Sequence, residues 1–374
     1  MKIKNIIIYY PSFERGGVEK ILVNISKFFI EKKINVNLVT IKNKNNNFLK
    51  QSRYFKITNI VVKKNFIFNR YTTSLACLLP LIRVMKSKNN TDTIVHSMQS
   101  NILAIIAAKI FGFKVVARNS EDAISSTKHA EEKVFSKIIF LIKFLFYHIA
   151  DGIITNSKGS ANSLNKFLIN KSLVKYIYNP YLTKNKILLA KKNNYKKKNI
   201  ILTVGRLCKQ KNFKDLILAF EIFQKKYTNY QLHIIGNGYE KKMLLNIIKE
   251  LKLEKKVFLM GWQSKVDANY HKAKLFVLPS VYEGLGNVLI DAINHSVPCI
   301  ATNCKSGPKE ILDNGKGGYI VPVKNISALS DKMIFAIKNK QITQKKIKFS
   351  KKRLFRFNSE TQSKKYLNYL NSIL

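Results

Sequence analysis

Short runs of apolar, β-branched residues alternate through most of the chain with longer stretches whose apolar positions recur every third or fourth residue. Side chains alternate faces along a strand and return to one face about every 3.6 residues along a helix. The pattern therefore predicts strands separated by helices, as in parallel sheets covered on both faces. In the first half it predicts strands at Ile3 to Tyr10, Val36 to Ile41, Ile57 to Val62, Thr93 to His96, Lys114 to Ala117, Gly152 to Thr155 and Val174 to Ile177. Helices are predicted at Val18 to Ile30, Ile102 to Ile110 and Lys158 to Leu168. Together they make one doubly wound α/β domain.

The pattern stops at Tyr178-Asn179-Pro180, because proline fixes its own φ and holds the preceding residue extended. A polar, lysine-rich stretch follows to Asn199, and this is the expected interdomain hinge. Strands resume at Ile200 to Val204, Gln231 to Ile235, Lys256 to Met260, Leu275 to Leu278, Val297 to Ala301 and Gly318 to Val321. Helices fall at Phe213 to Lys226, Glu240 to Leu251, Asn287 to His295 and Ala328 to Lys338. The expected domains are 1–180 and 181–358, both of the same α/β kind. Residues 359–374 form a helical segment that either domain could own, a return to the N-terminal domain being one solution.

Length and composition agree with two folded domains, since 374 residues exceed what one core usually supports and 46% are hydrophobic, with 23 Phe and 17 Tyr. The start, MKIKNIIIYYP, reads as a buried strand and not as a signal peptide, because Pro11 ends the apolar run early. The most apolar later stretches, Thr73 to Val84 and Val134 to Ala150, are interrupted by Pro80, Arg83, Lys137 and Lys143. Neither reaches the roughly 20 apolar residues of a membrane span. The second predicts a packed surface helix that also has the makeup to lie on a bilayer.

A net charge of +46 points to an anionic partner. The excess is spread, with +20 in residues 1–180 and +26 in 181–374, and no motif of a nucleic-acid-binding module appears. A membrane surface is the expected anionic partner and nucleic acid is not. Cys77, Cys208, Cys299 and Cys304 have neither redox-pair nor zinc spacing, so they read as reduced residues in a reducing, cytoplasmic setting.

Three clusters carry candidate chemistry, each just after a predicted strand. Glu14-Arg15-Gly16-Gly17 precedes a helix, where adjacent glycines let backbone N–H groups approach an anion; a tight turn is the plain alternative. Gly205-Arg206-Leu207, with Lys209 and Lys211-Asn212, offers a guanidinium fork and a mobile ammonium suited to a diphosphate. The third is Pro279-Ser280-Val281-Tyr282-Glu283-Gly284-Leu285-Gly286-Asn287-Val288-Leu289-Ile290-Asp291-Ala292, which opens an apolar, hence buried, helix. A carboxylate in its first turns needs partners, and sugar or ribose hydroxyls would serve Asp291 and Glu283. Gly236-Asn237-Gly238 lacks the third glycine of a dinucleotide fingerprint. Trp262, after Gly261, fits a base-stacking or a packed residue equally, and His96 and His129 read as structural. No P-loop, zinc cluster or D-x-D metal motif is present, so no metal and no cofactor is expected.

With these clusters together, the chain resembles the family-4 retaining glycosyltransferases of the GT-B fold, which build bacterial surface polysaccharides and glycans. The resemblance runs from Gly16-Gly17 through Tyr178-Asn179-Pro180, Gly205-Arg206 with Lys211, and Glu283 to Ala292, to Ser306-Gly307-Pro308-Lys309-Glu310-Ile311. Its specific part is a pair of acids with seven residues between them, here Glu283 and Asp291. Asp291 is one methylene shorter than the usual glutamate.

The resemblance implies two Rossmann-like domains facing across a cleft and a UDP- or GDP-sugar donor held without metal. It implies that Arg206 and Lys211 meet the diphosphate charge and that Glu283 contacts the sugar. Asp291 would bind the ribose, and Gly284, Leu285, Gly286 and Asn287 would line the donor site with Gly205. Gly16 and Gly17 would reach the phosphates from the other domain. Arg118 and Asn119 stand where many family members carry a histidine that touches the sugar, which makes them candidate sugar or acceptor contacts. The implied acceptor is a lipid-linked saccharide or polysaccharide, reached by a cytoplasmic enzyme bound peripherally to the inner face of the membrane. A nucleotide-sugar epimerase of the same fold and a basic nucleic-acid-binding protein are the alternatives.

Overall fold

The computed structural model describes residues 2–11, 17–41, 56–60, 70–128, 133–191 and 195–374. The chain divides into two compact units, Met1–Thr183 with Phe357–Leu374, and Lys184–Arg356. The first unit contains β1 (Asn5–Tyr9), α1 (Gly17–Glu31), β2 (Asn35–Ile41), β3 (Lys56–Ile60), α2 (Arg70–Ala76), α3 (Leu78–Lys86) and β4 (Thr93–Ser97). It continues with α4 (Asn101–Ile110), β5 (Lys114–Asn119), α5 (Ala123–Lys128), α6 (Lys133–Tyr147), β6 (Gly152–Thr155), α7 (Lys158–Asn165) and β7 (Val174–Tyr176). All strands pair in parallel, in the order β3-β2-β1-β4-β5-β6-β7.

Alternation along the strands feeds two cores, one on each face. Ile6, Ile8, Ile94, Val116 and Ile154 pack with Ile21, Ile25 and Phe29 of α1. Ile7, Tyr9, Val95, Val115 and Ile153 pack with Leu81 and Met85 of α3 and Ile105 and Ala108 of α4. Burial on both faces is why these strands read as nearly continuous apolar runs. Pro80 sits in the first turn of α3, where a missing N–H costs little.

The second unit contains α8 (Lys184–Lys191), β8 (Ile200–Val204), α9 (Phe213–Lys226), β9 (Gln231–Ile235), α10 (Lys241–Glu250), β10 (Val257–Leu259) and α11 (Asp267–Lys272). It ends with β11 (Leu275–Leu278), α12 (Asn287–Asn294), β12 (Cys299–Thr302), α13 (Pro308–Ile311), β13 (Tyr319–Val321), α14 (Ile326–Lys338) and α15 (Lys340–Lys352). This parallel sheet runs β10-β9-β8-β11-β12-β13. Arg356 closes the unit with a two-pronged grip on Asp313, Nη2 to Oδ2 at 2.8 Å and Nη1 to Oδ1 at 3.1 Å.

The last helix, α16 (Ser359–Asn371), joins the first unit, where Tyr366 and Leu370 enter the core beside α1. It lies so close to β6 that a Cβ on Gly152 would stand 2.5 Å from Tyr369 Oη. The crossing between the units after Thr183 falls inside the stretch expected as a hinge, beyond Asn179 and Pro180. Asn179 and Pro180 are fastened into the first unit, because Arg118 Nη2 donates to Asn179 Oδ1 at 2.8 Å and Asn24 Nδ2 donates to the Pro180 carbonyl at 2.7 Å. Leu182 N–H bonds the Phe357 carbonyl at 2.9 Å, and the lysine-rich segment that follows begins with α8. The chain passes between units after Thr183 and after Arg356.

A buried polar network ties α16 to the sheet. Arg118 is 3% exposed, and its guanidinium donates to Tyr366 Oη, Ser120 Oγ and Asn179 Oδ1. Beside it, His96 is fully buried, its Nδ1 donates to the Val116 carbonyl at 3.1 Å, and its Nε2 has no hydrogen-bond partner among the described residues. Burial, aided by the Arg118 charge and opposed by the Val116 bond, lowers its pKa to about 4. The unfolded ring takes up a proton near pH 6.5 and the folded ring does not until about pH 4, so this stability is present above pH 6.5 and lost as pH falls toward 4. A loss of about 2 to 3 kcal/mol between pH 7.5 and 4.5 is expected from this residue. Urea unfolding of wild type and His96→Gln at both pH values measures it; equal pH dependence in the two proteins would exclude His96 as the source.

Candidate functional site

In the second sheet the connections leave β8 toward β9 on one side and β11 toward β12 on the other, so the strand order reverses between β8 and β11. Ligands of open α/β sheets bind outside the carboxyl ends of the strands at such a point. The second and third clusters lie there. Gly205 to Asn212 follows β8, Pro279 to Gly286 follows β11, and the Gln210 main chain and side chain bridge them, accepting from Val281 N–H at 2.8 Å and donating to the Tyr282 carbonyl at 3.0 Å.

The centre of this crevice is an ion pair. Lys211 Nζ lies 2.5 Å from Glu283 Oε1, with side chains only 13% and 8% exposed. Ser280 Oγ donates to the same oxygen at 2.7 Å. Both donors converge on Oε1, and no hydrogen bond among the described residues engages Oε2. Ser306 Oγ holds the Glu283 carbonyl at 2.6 Å, and Thr302 Oγ1 holds that of Ser280 at 2.5 Å. The carboxylate is thus fixed from the loops after β8, β11 and β12. Burial, and then the Glu283 charge, push the Cys304 thiol up to about 12, so it stands beside the pair as a neutral group.

Arg206 is exposed, and no hydrogen bond or ion pair among the described residues engages its guanidinium. Its loop is set by close backbone packing. Gly205 N–H bonds Ile235 O at 2.9 Å and Leu207 N–H bonds Asn237 O at 3.0 Å. A Cβ on Gly236, whose φ is +150°, would lie 1.8 Å from the Gly205 oxygen. The Gly236-Asn237-Gly238 sequence therefore lets one loop lie against another.

Leu285 is buried, Gly286 caps α12 in the left-handed conformation, and Asn287 is the first residue of the helix. Asp291 lies about 6 Å farther along the axis at 1.5 Å per residue. Its Oδ1 accepts from Lys186 Nζ of α8 at 2.7 Å, and Asn294 Nδ2 holds the Lys186 carbonyl at 3.0 Å. His295 extends this polar group, with Nδ1 on the Asp291 carbonyl at 2.8 Å and Nε2 on Asp267 Oδ1 at 3.1 Å.

In the first unit, Gly17 is the exposed first residue of α1 and follows β1, next to the β1/β4 order reversal; Gly16, like Glu14, Arg15 and His129, lies outside the described residues. Arg118 turns inward to the network with Tyr366 and Asn179, so its guanidinium serves the packing of α16. Asn119 is buried too, with Nδ2 on the Glu121 carbonyl at 2.8 Å. Trp262 is half exposed.

Sequence reasoning missed Ser280 and Lys186 as partners of the two acids. Ser280, three residues before Glu283, was within reach of a loop-geometry argument. Lys186 carries no signal of its own among so many lysines.

Two family models match in tandem: Glycosyltransferase Family 4 over residues 15–183 and Glycosyl transferases group 1 over residues 185–353. A similar relative is the N-acetylgalactosamine-N,N'-diacetylbacillosaminyl-diphospho-undecaprenol 4-alpha-N-acetylgalactosaminyltransferase of Campylobacter jejuni, 33% identical over 256 residues, which are 66% of this chain and 69% of that protein. A second Campylobacter jejuni transferase, the GalNAc-alpha-(1->4)-GalNAc-alpha-(1->3)-diNAcBac-PP-undecaprenol alpha-1,4-N-acetyl-D-galactosaminyltransferase, is 24% identical and aligns over 94% of this chain and 93% of its own. Among solved structures, Anabaena HepE in complex with UDP superposes with a TM-score of 0.76 at 19% identity, covering 99% of this chain and 100% of that one. Sucrose-phosphate synthase from Thermosynechococcus elongatus gives 0.81 at 16% identity and 99% of each chain.

These matches and the two parallel α/β units define a glycosyltransferase of GT-B architecture. The chain belongs to glycosyltransferase family 4. Both family models describe transferases, and neither supports the epimerase alternative.

Proposed function

We propose that the chain transfers a hexosyl or N-acetylhexosaminyl group, with retention of anomeric configuration, from a nucleoside diphosphate sugar to a lipid-linked saccharide in surface-glycan synthesis. The observation that carries this reading is the Lys211–Glu283 pair at the β8/β11 reversal, beside the unengaged Arg206. As the bond from the anomeric carbon to the diphosphate oxygen breaks, its electron pair goes to that oxygen, and Arg206 and Lys211 meet the growing charge. The acceptor oxygen bonds the anomeric carbon on the face the diphosphate leaves, and its proton passes to the departing phosphate. Glu283 holds Lys211 through Oε1 and presents Oε2 to a sugar hydroxyl. Asp291, with Lys186 beside it, is assigned to the ribose side.

UDP is the proposed carrier, supported by the UDP complexes of HepE, and the lipid diphosphate acceptor is supported by the names of the Campylobacter jejuni relatives. A thermal-shift series with UDP, GDP and their sugars tests the donor. A ligand at 100 times its Kd adds about 2.7 kcal/mol to the folded state, so UDP should raise Tm by several degrees and GDP by less. No shift with any of them would remove the donor assignment.

Such an acceptor requires the enzyme to work at a cytoplasmic membrane surface. Among the described residues no helix is long and apolar enough to cross a membrane. The α6 helix supports adsorption: Ile138, Leu141 and Leu145 follow helical spacing and are 49%, 58% and 57% exposed, and Ile149 just beyond it is 47% exposed. An exposed apolar stripe in a basic domain suits the interface of an anionic bilayer. The protein should sediment with anionic vesicles at low salt and be released near 0.5 M salt, where the Debye length is about 4 Å. Leu141→Asp/Leu145→Asp should abolish this; unchanged sedimentation of that variant would exclude α6 as the contact.

A further inference from the structure

A groove of about 460 Å³ runs along the first unit between the free edge of β7 and the outward stripe of α16. Tyr176 and Tyr178 form one wall, in edge-to-face contact at 5.7 Å, and Tyr178 rests in turn on Phe357 at 5.1 Å. Tyr176 is 40% exposed, and the Lys158 ammonium sits 5.4 Å from its ring centroid. The facing wall is Lys365, Asn368 and Ser372, which follow helical spacing and are all exposed. Lys175 completes the rim, and no acidic residue lines the groove.

We propose that this groove is a second carbohydrate site that holds a negatively charged saccharide, outside the residues assigned to sugar transfer. A tyrosine wall fixed by its own aromatic contacts offers a flat apolar surface for the C–H face of a sugar ring. An amide, a hydroxyl and ammonium groups opposite it match hydroxyl, phosphate or uronate oxygens. The volume lies within the range of small-molecule sites. A peptide strand is less suited, because β7 spans only Val174–Tyr176 and the Leu173 carbonyl is already taken by Tyr369 Oη at 2.9 Å. A nucleotide is less suited because no guanidinium and no glycine loop lines the groove. The assignment rests on the transferase reading only for the source of the saccharide, which would be a remote part of the acceptor glycan.

Titration of the full-length protein with oligogalacturonate hexamer, maltohexaose and inorganic pyrophosphate tests it, read by tyrosine-selective NMR and by calorimetry. The hexamer of galacturonate should bind at least tenfold more tightly than maltohexaose or pyrophosphate and shift the Tyr176 and Tyr178 signals. Tyr176→Ala should weaken it about tenfold or more, an aromatic contact of about 1.4 kcal/mol, while Tyr176→Phe should retain it. UDP binding, measured on the same samples, should be equal in all three proteins, so failure of the groove and failure of the donor site are separable. Pyrophosphate binding as tightly as the hexamer would reduce the groove to an anion site and overturn the proposal. Hexamer binding unchanged in Tyr176→Ala, or absent from wild type, would overturn it as well.

Discussion

Lys211→Ala and Arg206→Ala are each expected to lower kcat by about 10² or more, the scale for removing one preorganised donor from a developing oxyanion. Their effects on stability should differ. Arg206 is exposed and engaged by no described residue, so its removal should change unfolding by less than about 0.5 kcal/mol. Lys211 neutralises a carboxylate whose side chain is 8% exposed, and its loss leaves Glu283 with Ser280 as the only side-chain donor among the described residues. Breaking a buried pair from one side costs about 3 to 5 kcal/mol.

The double variant Lys211→Ala/Glu283→Gln should recover much of that stability, because the unpaired charge is gone, and none of the activity. Sugar transfer or donor hydrolysis with a UDP-sugar gives kcat, and urea unfolding gives the stability. Wild-type turnover in either single variant, with folding confirmed, would remove that residue from the charge-stabilising role. A double variant as unstable as Lys211→Ala would show that packing of the lysine stem beside Gly205, and not its charge, is what matters.

Gly236→Ala is expected to disable the enzyme although Gly236 is not itself a candidate ligand residue. The new Cβ would lie 1.8 Å from the Gly205 oxygen, and the clash cannot be relieved by a side-chain rotation because that oxygen belongs to the backbone. Gly205 and Gly236 are both held by main-chain bonds, to Ile235 and Gly261, so the loop carrying Arg206 must move. A displacement near 1 Å at reacting groups costs on the order of 10² in rate, and overpacking of this kind costs about 1 to 3 kcal/mol in stability.

Gly261→Ala is the matched control. Gly261 also has a positive φ, +68°, but a Cβ there meets nothing within 4 Å. Only the left-handed conformation should be felt, about 1 kcal/mol, with kcat unchanged. Equal activity of Gly236→Ala and Gly261→Ala would mean that the two loops are not coupled to catalysis.

The alternation of apolar runs was enough to read both parallel sheets. Strands such as β6, β8, β9 and β11 begin and end where the pattern places them, because strands buried on both faces must be apolar throughout and stop where polar loops begin. The loops after β8 and β11 were legible for the same reason. Glycine, arginine and acid at the ends of buried strands mark candidate ligand loops, and the spacing from Glu283 to Asp291 adds specificity. The helix α15 escaped this reading because Ile347 is the one large apolar residue it buries, beside Thr343 and Ser350, whose hydroxyls are satisfied through Tyr319 and the Gly317 carbonyl.

Which partners those residues take was a matter for tertiary structure. Periodicity assigns a residue to a face of its own element, but the element across from it is set by packing between distant segments. So α16 could have belonged to either unit, and its place in the first depends on Tyr366 meeting the β-sheet core and on the space left by Gly152. Arg118 read as a candidate sugar contact from its place after β5; the arrival of Tyr366 and Asn179, 248 and 61 residues away, turns it into an internal clasp. The basic residues show the same division most sharply: 67 lysines and arginines are spread along the chain, and only the fold pairs Lys211 with Glu283 and Lys186 with Asp291, because a hydrogen bond needs two groups within about 3 Å and chain spacing does not determine that.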